Sequence, residues 1–89
     1  MNSTQLNKIL NSGGIAFVRF RKLNNEIRNM VCTTNIIHIP RDLRPQGFAQ
    51  YDKNSQIRVF DLVAKEWRSM KPDNILEVVE YPSKVGQNA

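Results

Sequence analysis

Apolar residues recur along this chain at two different periods. In the first twelve residues Leu6, Ile9 and Leu10 fall at i, i+3 and i+4, which places them on one face of a helix. Asn2 or Ser3 can cap that helix, and Gln5 stands three after Asn2 in capping-box spacing. Ser12-Gly13-Gly14 ends it, because glycine tolerates the left-handed turn that closes a helix. A helix from Asn2 to Asn11 is too short to hold alone, so the pattern predicts that it lies on an apolar surface. From Ile15 to Lys22 the period drops to two. Ala16, Val18 and Phe20 alternate with Phe17, Arg19 and Arg21, which predicts a strand with one buried and one basic face. Asn24-Asn25 supplies a tight turn, and Glu26 to Thr34 returns as a second strand with Met30 and Cys32 inward.

No period survives from Asn35 to Asn54, where Pro40, Pro45 and Gly47 interrupt. Ile37, Ile39, Phe48 and Tyr51 predict that this connection packs back on the body; connections of this length in small domains tend to be functional or held by their own side chains. A third strand follows from Ile57 to Leu62, a short link at Val63–Glu66, and a fourth strand from Trp67 to Lys71. Pro72-Asp73-Asn74 makes one tight turn, and Ile75 to Tyr81 reads as the fifth strand. Two strands in a hairpin, a single turn and a last strand are how a small barrel closes, and closure removes exposed edges. The expected fold is mainly β: a small five-stranded barrel over residues 15–81 with a short N-terminal helix, one domain spanning 1–82, and a polar, frayed tail at 83–89.

Composition changes that picture little, and charge changes it more. Eighty-nine residues at 40% hydrophobic make one small globular domain, which buries only about 60% of its unfolded surface. The start of the chain carries no signal-peptide pattern, no apolar run reaches the roughly 20 residues of a membrane span, and the lone Cys32 excludes an internal disulfide or a cysteine-built zinc site. A cytoplasmic protein is expected. Lys and Arg number 13 against eight Asp and Glu, for a net charge of +5. Between Lys8 and Lys71 stand twelve basic and five acidic residues, a surplus of seven, whereas the segment from Asp73 holds three acids and one lysine. A basic body of this size attracts polyanions, nucleic acid first; the plain alternative is a surface kept soluble by its charge.

The stretches CTTNIIHIP and VFDLVAKEWRSMKPDNI carry a further pattern on Cys32, Thr33 and Pro40, then on Val59, Asp61, Leu62, Trp67, Arg68 and Ser69, and finally on Met70, Asp73 and Ile75. The pattern resembles small bacteriophage proteins with Src-homology-3-like or Sm-like barrels, which are grouped with the barrel of WYL-type regulatory domains. The likeness spans about Ile15 to Val79. Met70 stands where an aromatic is expected, and the 35–54 connection is long and basic for such proteins. The resemblance implies the barrel fold and a viral origin, with the host cell cytoplasm as location. It implies no activity, and the regulatory or nucleic-acid-sensing role of the WYL-type barrel is a fold-level analogy.

Small barrels bind single strands with a basic groove and exposed aromatics on which bases stack. The strand cations Arg19, Arg21, Arg28, Arg58, Arg68 and Lys71 suit such a surface, and Arg41 and Arg44 add charge from the long connection, with Lys53 beyond them. Phe17 shares a face with Arg19 and Arg21; its alternative is to seat the helix. Trp67 would stack a base or cap the barrel mouth with its indole N–H on a turn carbonyl, and Arg68 would take a phosphate or a carboxylate. His38 stands alone, Cys32 reads as an inert core thiol, and neither a Gly-x-Ser-x-Gly elbow, a paired-carboxylate motif nor a phosphate-binding glycine loop is present. No enzyme, metal or cofactor is expected. Two functions remain open: binding of single-stranded nucleic acid, or a host-takeover module docking on an acidic host protein. Association of copies through edge strands, with the fifth strand joining, is a third possibility.

Overall fold

A computed structural model of the chain describes residues 2–45, 47 and 55–81. Helix α1 runs from Asn2 to Asn11 and buries Leu6, Ile9 and Leu10, as their spacing predicts. Gly13, at φ +81°, ends it: Gly14 N donates to Ile9 O and Gly13 N to Leu10 O, the paired bonds of a Schellman turn. Five strands follow: β1 (Ile15–Arg21), β2 (Ile27–Thr33), β3 (Ile57–Asp61), β4 (Glu66–Met70) and β5 (Ile75–Tyr81). They form one antiparallel sheet in the order β4-β3-β2-β1-β5. Single 3-10 turns occupy Ile36–His38, Arg41–Leu43 and Pro72–Asn74.

The alternation read in β1 holds. Ala16 and Val18 are buried beside Met30 and Cys32 of β2, while Arg19 and Arg21 face solvent. Asn25 turns the hairpin at φ 72°, and the Asn24 side chain bonds both the amide and the carboxylate of Glu26, so β2 begins one residue later than expected. The core joins α1 to β1, β2 and β3, and includes both Met70 and Ile75 on either side of the last turn. Strand β4 starts at Glu66 rather than Trp67 because Lys65, at φ 58°, completes the preceding turn and donates its N–H to Asp61 O.

Three details differ from expectation. β4 and β5 are the two ends of the sheet order, and among the described residues no ladder joins them. The β5 edge is protected by α1 instead. Asn2 Nδ2 donates to Ile75 O (2.9 Å) and Leu76 O (3.1 Å), and Gln5 Nε2 donates to Val78 O (3.2 Å), so both helix amides serve the strand. Second, Phe17 does not seat the helix. It stands 39% exposed on the opposite face, between Val31 and Val79, because α1 covers the Ala16–Val18 side. Third, of the apolar residues in the 35–45 segment, Ile39 is buried but Ile37 is 73% exposed; Phe48, Tyr51, Lys53 and the 82–89 tail lie outside the described residues.

That segment is tied down at both ends. Thr33 Oγ1 donates to Gly14 O and accepts from Asn35 N, and Asn35 Nδ2 donates to Gly13 O. Further along, the Trp67 indole N–H donates to Leu43 O at 2.8 Å. Phe60 alternates away from the core residue Val59 yet is fully buried, with Trp67 against it edge-on at 5.5 Å.

Candidate functional site

β2 and β3 pair at only two positions, Cys32 with Asp61 and Thr33 with Phe60, with Leu62 N bonding Val31 O just beyond. From Ile27 to Met30, β2 continues beside β1 alone among the described residues. The β3–β4 hairpin therefore leaves the sheet, and a cleft opens between it and the β1–β2 hairpin. The larger compartment, about 510 Å³, lies between residues 20–24 and residues 67–71. A smaller one, about 310 Å³, follows residues 28–31 of β2 toward Asp61, Val63 and Ala64 and reaches Phe17. Arg28 and Arg68 line both.

Among the described residues five cations line the larger compartment, Arg21, Lys22, Arg28, Arg68 and Lys71, and no carboxylate does. Two of them are spoken for. Lys22 Nζ sits 3.5 Å from Glu26, and Arg68 bonds Asp61 through Nε and Glu66 through Nη2, each at 2.9 Å. Arg21, Arg28 and Lys71 have no carboxylate within ion-pair distance among the described residues, and all three are exposed. Phe20, Leu23, Trp67 and Met70 supply apolar wall, and Asn24, Gln56, Ser69 and Asn74 supply hydrogen-bonding groups. Cations without local partners beside aromatic rings can take a phosphate and stack a planar ring next to it.

Asp61 holds one edge of this cleft in shape. Its Oδ1 accepts from Val63 N and Ala64 N, its Oδ2 from Arg68, all at 2.9 Å. Burial pushes its carboxyl up, but the Ala64 amide, the Arg68 guanidinium and the Val63 amide together hold it below the usual value. Behind it, burial, aided by the Asp61 charge, pushes the Cys32 thiol up to about 12, leaving it protonated and unreactive. At the hairpin tip, the Asn24 amide and then the Lys22 charge lower Glu26.

The residues singled out from sequence fall into three groups. Arg21, Arg28, Arg68, Lys71 and Trp67 meet in the larger compartment, and Phe17 reaches the smaller one. Arg19 lies apart, on the outer sheet face opposite Glu77, with 3.9 Å between Nη1 and Oε1. Arg58 lies over the Trp67 ring, 5.4 Å from its centroid; Arg44 Nε donates to Ile39 O; and Arg41 is exposed on the second 3-10 turn. None of Arg19, Arg41, Arg44 and Arg58 lines the cleft. Trp67 takes the structural place, its N–H on a turn carbonyl, while still presenting surface to the cleft. Sequence reasoning passed over Lys22, Phe20, Leu23 and Val63; the basic run Arg19-Phe20-Arg21-Lys22 ending in a turn was the signal for the first two.

No curated protein and no solved structure matches the chain. The pattern of one family, WYL_2, described as an Sm-like SH3 beta-barrel fold, matches residues 4–76, from α1 to the start of β5. By that match, and by its five-stranded sheet with one N-terminal helix, the chain belongs to the WYL_2 family of Sm-like SH3 β-barrels.

Proposed function

We propose that this domain is a non-enzymatic binding module that takes single-stranded nucleic acid in the cleft between its two hairpins. The observation that carries the reading is the larger compartment: among the described residues it has five cations, no carboxylate, and the rings of Phe20 and Trp67 in its walls. Arg21, Arg28 and Lys71 contact phosphates, and Arg68, neutralised by two acids, shapes the wall. The bacteriophage origin and host cytoplasm implied by the family resemblance belong to this proposal, as does the absence of catalysis.

Fluorescence anisotropy of a labelled oligonucleotide at several salt concentrations tests it. Binding weakens steeply with salt, and replacing Arg21, Arg28 and Lys71 by alanine lowers the log–log slope by about 2, at about 0.7 per lost phosphate contact. The melting temperature stays near wild type, since all three side chains are exposed. No detectable binding at micromolar protein in low salt overturns the reading. A partner that instead survives nuclease in pull-downs and is lost on one cleft substitution would identify the acidic host protein as the ligand.

A further inference from the structure

We propose that the strand crosses Arg28, with consecutive bases in the two compartments, so that the smallest full ligand is a dinucleotide; this rests on the nucleic-acid reading above. The two hollows adjoin, since Arg28 and Arg68 line both, and each volume lies in the roughly 300–1,000 Å³ range of small-ligand sites. They differ in charge. The larger has Arg21, Lys22 and Lys71 of its own, whereas among the described residues the smaller has no cation except the shared pair, and Arg68 is engaged by Asp61 and Glu66. Its one carboxylate, Asp61, faces Arg68 and two turn amides. A phosphate therefore finds no seat inside the smaller hollow, but a base does, against Phe17, Val31 and Val63. Arg28 stands at the step between the hollows, where the phosphate linking two bases falls. Beside it, among the described residues, positions 28–30 of β2 have a strand on one side only, so backbone N–H and C=O groups border the second base.

Calorimetric titration with thymidine 5′-monophosphate, the dinucleotide pTpT, the trinucleotide and decathymidylate tests the proposal at one low salt concentration. Trp67 emission is a second readout, as the chain has one tryptophan. Affinity rises at least about tenfold from mononucleotide to dinucleotide, the gain of one stacked base and of its linking phosphate on Arg28, and by smaller steps thereafter. Phe17→Ala shrinks that step to the part the linking phosphate supplies; Arg28→Ala weakens the dinucleotide more than the mononucleotide. Equal increments with every added nucleotide, or a step of unchanged size in Phe17→Ala, overturn the two-base arrangement while decathymidylate binding keeps the nucleic-acid reading. A protein that binds none of the four loses both.

Discussion

Replacing Asp61 by alanine removes three hydrogen bonds at one stroke. Two join Oδ1 to the Val63 and Ala64 amides and one joins Oδ2 to Arg68, all at 2.9 Å around a residue that is only 8% exposed. The turn residues are exposed, so water takes over their amides, and Arg68 keeps Glu66. Each bond is then worth about 1 kcal/mol rather than the larger figure for sealed charged bonds, for a loss of about 3 kcal/mol. In a domain of this size that lowers the melting temperature by about 12–24 °C. Asp61→Asn keeps an acceptor for the two amides but turns an NH2 donor toward the Arg68 guanidinium, losing that bond as well as the charge, so its cost is about 1–2 kcal/mol. The pH dependence separates charge from shape. Because the folded carboxyl is held below the ordinary aspartate value, its contribution is complete above about pH 3.9 and is lost as pH falls through the lower folded value. Melts followed by circular dichroism at neutral and acid pH check both points. The difference between wild type and Asp61→Asn is present at pH 7 and closes in acid. An Asp61→Ala protein melting within about 3 °C of wild type, or a gap that ignores pH, would refute this view of the hairpin.

Met70→Asp places a charge in the core beside Ile57 and abolishes the cooperative melt, since an unpaired buried charge costs several kcal/mol. Trp67→Ala loses the bond to Leu43 O and the packing on Phe60 and Arg58, lowering stability by about 3 kcal/mol in chemical denaturation. Asn2→Ala with Gln5→Ala uncovers the Ile75, Leu76 and Val78 carbonyls; the double variant loses about 2 kcal/mol and self-associates at high concentration in light scattering.

Local chemistry made most of the fold legible. The helix ends where Gly13 can take a positive φ, and the Ala16–Val18 alternation with its turn at Asn25 needs only neighbouring residues to be read. β4 was misplaced by one residue because Lys65 adopts a left-handed backbone, which no lysine advertises. Phe17 was ambiguous because its strand presents one face to α1 and one to solvent, and choosing between them depends on where a distant helix docks. The cleft was the least legible part. It exists because β2 and β3 part after two residue pairs, a property of the sheet that neither strand carries in its own pattern. The same distance effect separated Arg19 from Arg28: one pairs across to Glu77, the other turns to the cleft.

The amides that α1 lends to β5 bear on how the chain reaches this state. Asn2 and its acceptor Ile75 are 73 residues apart, so bringing them together costs about 4 kcal/mol of chain entropy before any contact repays it. A ten-residue helix does not persist without its seat. β1 likewise waits for β5, its second neighbour in the sheet. At ribosomal speeds of about 5–20 residues per second, the roughly 48 residues between the end of β2 and the end of β5 take about 2–10 s to emerge. Through that interval the β1–β2 hairpin stands without β5, with β1 bare along one side and the Asn2 and Gln5 side-chain amides without their β5 acceptors. The bonds from α1 to β5 thus form only once β5 is complete, and a chain halted before Ile75 keeps β1 open to pairing with another molecule.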